Sequence, residues 1–250
     1  MSFADLSGRV ALVTGGSRGL GKEICRGLAA AGADVVIVSR KAENCEQLAA
    51  EIRDEYGVKA SGLACHVGRW NDIDRLVERV YADYPAVDVL VNNAGMSPVY
   101  DTESAVSEEL FDKVLGVNLK GPFRLTALIG ERLMAEDRPG SIINVTSMAA
   151  VNPQGPSLPY AAAKGGLNTL TVAFSRRLGP TVRVNAIMCG PFFTEVSEYW
   201  DMDEFTTRVA RHSLRRGGQP GEIVGTVLYL ASDASSFTTG AVIPVNGGEA

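Results

Sequence analysis

The chain has 250 residues, a length that one large hydrophobic core can serve, and 46% of them are A, V, I, L, M, F, W, Y or C, which excludes a disordered chain. With 24 basic against 29 acidic side chains the formal charge is −5, so no global positive field draws in nucleic acid or an anionic membrane surface. No apolar run approaches the ~18 residues of a membrane span, and residues 1–9 lack a basic leader, so a cytoplasmic chain is expected.

Short β-branched runs alternate with longer amphipathic stretches. Strands are predicted at 10–13, 35–38, 62–67, 87–91, 141–145, 182–187 and 241–245. Helices are predicted at 20–31, 42–55, 72–81, 110–117, 121–134, 160–178 and 222–230, with a looser segment before His212. Strands that are apolar at successive positions are buried on both faces. The pattern therefore predicts an α/β fold of the Rossmann type, a doubly wound parallel sheet of about seven strands with helices on both faces, in a single domain over 1–250.

Directly after the first strand comes Thr14-Gly15-Gly16-Ser17-Arg18-Gly19-Leu20-Gly21, followed by a helix. Glycines let the backbone turn sharply and approach a pyrophosphate, and the helix N-terminus stabilises its charge. The second strand ends Val38-Ser39-Arg40, with no acid to hold free ribose hydroxyls. Ser39, Arg40 and Arg18 instead suit a 2′-phosphate, so NADP(H) is predicted over NAD(H).

Tyr160 and Lys164 stand four apart at the start of a helix and share one face. A nearby cation favours the phenolate, so Lys164 is expected to bring Tyr160 toward the range of a working acid/base. With only His66 and His212 present, neither a Ser-His-Asp triad nor a metal pair is expected. Four cysteines without a C-x-x-C pair predict a reducing compartment.

The glycine loop, Asn92-Asn93-Ala94-Gly95, Asn118, Ser147, Tyr160 and Lys164, in this order and spacing, resemble the short-chain dehydrogenase/reductase family over residues 6–248. The resemblance implies that Tyr160 exchanges a proton with the substrate oxygen and that Ser147 polarises that oxygen. Lys164 would bind the nicotinamide ribose and lower the tyrosine pKa, and Asn118 would hold a water of a proton relay. Asn92, Ala94 and Gly95 would line the cofactor, with Asn92 near the adenosine ribose. The loop with Gly190 and Pro191 would lie on the nicotinamide side of the cofactor, where the Ile187 backbone and the Thr194 hydroxyl would anchor the carboxamide.

Three departures from the family pattern stand out. Cys189 replaces a proline before Gly190. His66-Val67 replaces Asp-Val at the adenine position, where His66 is expected to accept one hydrogen bond or Val67 to serve through its backbone. Asn246 replaces an aspartate near the C-terminus, at an expected oligomer contact.

Residues 190–215 read as a variable lid. Met96, Met148, Phe192, Phe193, Tyr199 and Trp200 are expected to line the substrate pocket, with Val99, Val151 and Leu158 completing its apolar wall. Family resemblance and the small-residue runs of the 160–178 helix imply a homo-oligomer, a dimer or tetramer packed through the 121–134 and 160–178 helices. The leading activity is interconversion of a ketone and a secondary alcohol as small-molecule substrates. A 3-oxoacyl-thioester reductase docking an acyl carrier through Arg138, Arg176 and Arg177, a sugar or polyol dehydrogenase, and a non-catalytic NADP(H) sensor stay open.

Overall fold

The computed structural model describes residues 4–153, 157–194, 197 and 202–249. In chain order it runs β1 (Val10–Thr14), α1 (Gly19–Ala30), β2 (Asp34–Ser39), α2 (Ala42–Tyr56), β3 (Ala60–Ala64), α3 (Trp70–Asp83) and β4 (Val89–Asn92). It continues through α4 (Glu108–Leu115), α5 (Gly121–Ala135), β5 (Gly140–Ser147), α6 (Leu158–Leu178), β6 (Val182–Cys189), α7 (Met202–Val209), α8 (Val224–Ala231) and β7 (Val242–Val245). All seven strands are parallel, in the order β3-β2-β1-β4-β5-β6-β7.

The predicted double winding follows from where the strands bury their side chains. Every residue of β1 is buried, with Ala11 and Val13 facing one layer and Val10 and Leu12 the other. The first layer holds Ile24 and Leu28 of α1, Leu48 and Ile52 of α2, and Val227 and Leu230 of α8. The second holds Ile73 and Leu76 of α3, Leu125 and Ile129 of α5, and Leu178 of α6. Strand order reverses between β1 and β4, which leaves a crevice above their carboxyl ends, where ligands of open α/β sheets bind.

Three local features differ from the sequence reading. The segment expected to be loose contains α7, which folds because Phe205 and Val209, one turn apart, are both buried. A π-helical turn, Gly116–Lys120, separates α4 from α5 and carries Asn118. Helix α6 begins at Leu158, two residues early, so Tyr160 sits in its first turn. No helix among the described residues is long and apolar enough to cross a membrane.

Candidate active site

The glycine loop leaves β1 and is held from β4. The Thr14 hydroxyl accepts from the backbone N–H groups of Asn93 and Ala94, both at 3.1 Å. Asn93 Nδ2 donates back to the carbonyls of Thr14 at 2.9 Å and Gly15 at 3.1 Å. Gly15 has φ +64°, and a Cβ on Gly21 would run into the Gly15 carbonyl oxygen and the Asn93 amide. The tight turn therefore requires glycine at both positions. Helix α1 follows, its N-cap residue Arg18 extended and giving it no side-chain cap. The cradle is shaped for a group that takes backbone N–H donors at a helix N-terminus, as a pyrophosphate does.

At the end of β2 the Ser17 hydroxyl donates to Ser39 Oγ at 3.1 Å, and the Cys45 thiol lies 3.0 Å from the same oxygen. Arg18 and Arg40 are exposed beside this pair, and neither forms an ion pair among the described residues. Two guanidiniums without a carboxylate next to a fixed hydroxyl fit a phosphate dianion. Cys45 was not singled out from the sequence, because its contact with Ser39 depends on how α2 packs on β3.

The NNAG segment divides differently from the expectation. Asn92 is 1% exposed, and its Nδ2 donates to Asn144 Oδ1 at 2.9 Å and Thr126 Oγ1 at 3.2 Å. The side chain of the last residue of β4 thus points into the interior. The cradle is held by Asn93. Ala94 is half-buried, and a Cβ added to Gly95 would lie 3.1 Å from the Asn118 carboxamide oxygen and 3.7 Å from the Lys164 ammonium.

His66 also departs from its expected role. Its Nδ1 accepts the Gly68 N–H at 3.2 Å, which fixes the neutral tautomer with the proton on Nε2. The free edge of the ring is a donor, so the acceptor expected for an adenine amino group is already used. Val67 is buried, with its carbonyl close against Gly121.

The catalytic candidates converge at the carboxyl ends of β5 and β6. Ser147 ends β5, in register with Cys189 of β6. Its Oγ accepts from Ala149 N at 3.2 Å, and its hydroxyl faces that of Tyr160. Lys164 is 3% exposed, donates to the Val145 carbonyl at 2.7 Å, and lies 5.6 Å from the centroid of the Tyr160 ring. Asn118 is fully buried. Its Nδ2 donates to Met96 O at 2.8 Å and Val114 O at 2.9 Å, while its Oδ1 accepts from Met96 N at 3.2 Å. Both carboxamide hydrogens are spent on backbone, so only a remaining Oδ1 lone pair is open to a relay water.

Burial, rather than the pairing expected from spacing, sets the charges here. The Tyr160 hydroxyl is pushed up to about 12 by burial, opposed by its hydrogen bond to Ser147. Burial brings the Lys164 ammonium down to about 8, with neighbouring Cys189 opposing. The Cys189 thiol is itself pushed up to about 12 by burial, against the pull of Lys164. For the protein alone burial thus moves Tyr160 in the direction opposite to the lowering expected from Lys164.

On the nicotinamide side, Gly190 N donates to Val245 O at 3.0 Å, and Gly218 N donates to Pro191 O at 2.9 Å. Thr194 O accepts from both the backbone N–H and the hydroxyl of Ser197. Phe192 is 7% exposed, bridges to Gly218 and belongs to a core layer. Phe193 packs on Phe205, ring centroids 5.1 Å apart. Met96 is held through its backbone by Asn118, and Met148 is 8% exposed with its Sδ receiving the Asn246 amide at 3.1 Å. Asn246 is thus used inside its own chain. Val99, Val151 and Leu158 are exposed at the rim. Tyr199 and Trp200 lie outside the described residues.

A family model described as short chain dehydrogenase matches residues 9–204. Dehydrogenase/reductase SDR family member 4 of Homo sapiens is 36% identical over 247 residues, 97% of this chain and 88% of that protein. The solved structure of a putative short-chain alcohol dehydrogenase from Sinorhizobium meliloti superposes with a TM-score of 0.92 at 36% identity, covering 98% of this chain and 97% of the other. That of a 3-oxoacyl (acyl-carrier-protein) reductase from Agrobacterium tumefaciens with NADP bound gives 0.91 at 32%, covering 98% and 95%.

Proposed function

Because the chain belongs to the short-chain dehydrogenase/reductase family, we propose that it is an NADP(H)-dependent oxidoreductase that interconverts a ketone and a secondary alcohol. The observation that carries the reading is the cluster of half-buried Ser147 and Tyr160 with buried Lys164 beside a glycine cradle. A sensor that only binds the dinucleotide has no chemical use for these three together.

The residues present fit such a cofactor. The Gly15–Gly21 turn and the N-terminus of α1 would take the pyrophosphate, and Ser39, Arg18 and Arg40 the 2′-phosphate. Tyr160 and Lys164 would bind the nicotinamide ribose, while Gly190, Pro191 and Thr194 would border the ring. The hydride is the cofactor's contribution when it is bound.

The protein's own part is the proton and its placement. At neutral pH a phenol held near 12 is protonated, so Tyr160 is set to give its proton to a carbonyl oxygen that becomes an alcohol. The Ser147 hydroxyl, facing the same phenol, would hold that oxygen in line. Lys164 presents a charge in a dry site, where it stabilises the phenolate left behind. The buried polar end of Tyr160 and the apolar rim of Val99, Val151 and Leu158 suit a ketone with an apolar body.

A 3-oxoacyl thioester is a second reading, supported by the likeness to the Agrobacterium reductase. The basic patch it was expected to use is not at the site mouth. Arg138 is engaged by Asp88 at 2.6 Å, and Arg176 and Arg177 lie roughly 24 Å along α6 from Tyr160 at 1.5 Å per residue. A homo-oligomer through α5 and α6 goes with the proposed function; Trp70, Phe123 and Phe174 form an aromatic row there, with Trp70 and Phe123 exposed. Sedimentation as monomer alone at micromolar concentration would remove it. A reducing, cytoplasmic setting fits four cysteines that are all free and buried.

The test is loss of NADPH absorbance with apolar ketones, keto-sugars and an acetoacetyl thioester. Tyr160→Phe is expected to lower turnover about 10²- to 10⁴-fold while the variant still binds NADPH. Retention of most turnover by that variant would exclude the proposed chemistry.

A further inference from the structure

Helix α6 carries both Tyr160 and Lys164, yet its own N-cap residue does not cap it: the Ser157 side chain makes no cap hydrogen bond. The first turn of a helix has backbone N–H groups without partners inside the helix. One of them, Leu158 N–H, is met from another part of the fold, by the Tyr100 hydroxyl at 2.9 Å. Tyr100 lies 58 residues earlier, in the segment between β4 and α4. That segment is tied down at its other end, where Met96 exchanges hydrogen bonds in both directions with the Asn118 carboxamide. Tyr100 and Tyr160 also border the same narrow apolar crevice, with Pro98, Leu110, Val114 and Pro159.

From this arrangement we propose that Tyr100 is a positioning residue for the reaction: its hydroxyl pins the first turn of α6 and its ring backs the crevice, so that Tyr160 is held against Ser147. The inference rests on the function proposed above. The geometry supports this in two ways. Leu158 is two residues before Tyr160, so freedom at its amide is passed directly to the base of the tyrosine side chain. Among the described residues that line the crevice none is charged, so the Tyr160 ring is bordered there by the apolar surface to which the Tyr100 ring belongs. Tyr100 also closes a continuous strap from Asn118 through Met96 to α6, across the face that a substrate must approach.

The experiment uses the whole protein and Tyr100→Phe, which removes the hydroxyl and keeps the ring. Amide hydrogen exchange over residues 157–163 is compared with exchange over the rest of α6, and kcat is measured alongside the dissociation constant for NADPH. One lost hydrogen bond corresponds to about a 2- to 10-fold effect. Exchange in the first turn is expected to quicken by about that factor while the remainder of α6 is unchanged. The kcat is expected to fall 3- to 10-fold with NADPH affinity unchanged.

Unchanged exchange in the first turn would overturn the latch, whatever the wild type turns over. Faster exchange with unchanged kcat would overturn the positioning role, and so would loss of kcat and NADPH affinity in equal measure, which marks general loosening. Wild type that turns over no carbonyl would instead fail the proposed function, and the exchange measurement separates that failure from this one. Tyr100→Leu, which lacks the ring as well, is expected to lower kcat further than Tyr100→Phe; an equal effect would remove the crevice from the argument.

Discussion

The two ends of the site face opposite electrostatic conditions. At the end of β2, Arg18 and Arg40 stand in water with Ser39 between them. At the ends of β5 and β6, Lys164 and Cys189 are buried beside the inward-pointing Tyr160 hydroxyl, in low dielectric. In water a charge keeps its ordinary chemistry and attracts its partner weakly, because solvent screens the pair. In the interior the cost of charging a group dominates, and here it moves Tyr160 up and Lys164 down although a cation and a phenol lie side by side. The exposed end can therefore select a cofactor by modest increments, whereas the buried end sets a protonation state outright.

That contrast is broken or sharpened first by pH, where the largest effect is expected. A phenol that ionises near 12 must lose its proton before it can act as a base toward an alcohol. The phenolate fraction rises tenfold per pH unit below that point, so alcohol oxidation is expected to climb nearly tenfold per unit from pH 6 to 7.5, below the pH near 8 at which Lys164 gives up its charge. Ketone reduction, which uses the protonated phenol, is expected to stay level over the same range at saturating NADPH. Initial rates in both directions across this range check it. An oxidation rate that levels off near neutral pH would mean that the bound dinucleotide gives the lysine back the influence that burial removes.

The exposed end should respond less. Arg40→Ala is expected to weaken NADPH binding about 5- to 10-fold, with NADH affinity unchanged and with the loss shrinking as salt is added. Fluorescence titration with both dinucleotides at two ionic strengths reads this directly. Equal weakening for both cofactors would detach Arg40 from the 2′-phosphate.

What the sequence made legible was what local pattern controls. The alternation of strands and helices, the Gly15–Gly21 turn and the one-turn spacing of Tyr160 and Lys164 all depend on residues close together in the chain. The misreadings share a different cause. Asn92 and Asn93 are adjacent and chemically identical, and only the end of β4 decides that the first faces the interior and the second the glycine loop. Phe192 looked like part of an aromatic lid, but its bridge to Gly218 sends its ring into the core. Tyr100 meets Leu158 across 58 residues, a contact without any periodic signal. The charge states of Tyr160 and Lys164 escaped for the same reason, since spacing gives proximity and says nothing about how much water is removed.

The smallest expected effect tests whether the exposed end depends on anything buried. The Cys45 thiol lies 3.0 Å from Ser39 Oγ, and burial pushes its pKa up, so it keeps its hydrogen. The Ser17 hydroxyl already donates to the same oxygen. Ser39 Oγ in turn donates to the Lys41 carbonyl at 3.4 Å, so these contacts fix the hydroxyl oxygen at the strand end, beside the exposed Arg18 and Arg40 that would hold a phosphate. Removing one weak hydrogen-bond partner at a part-buried site is worth roughly 0.5 kcal/mol, or about a factor of two. Cys45→Ala is therefore expected to weaken NADPH binding about twofold relative to NADH, and Cys45→Ser, which keeps a donor, to restore the ratio. The ratio is the informative quantity. A cysteine that only fills space between α2 and the sheet would shift both affinities together through the fold, while one that orients Ser39 changes only the cofactor that carries the extra phosphate.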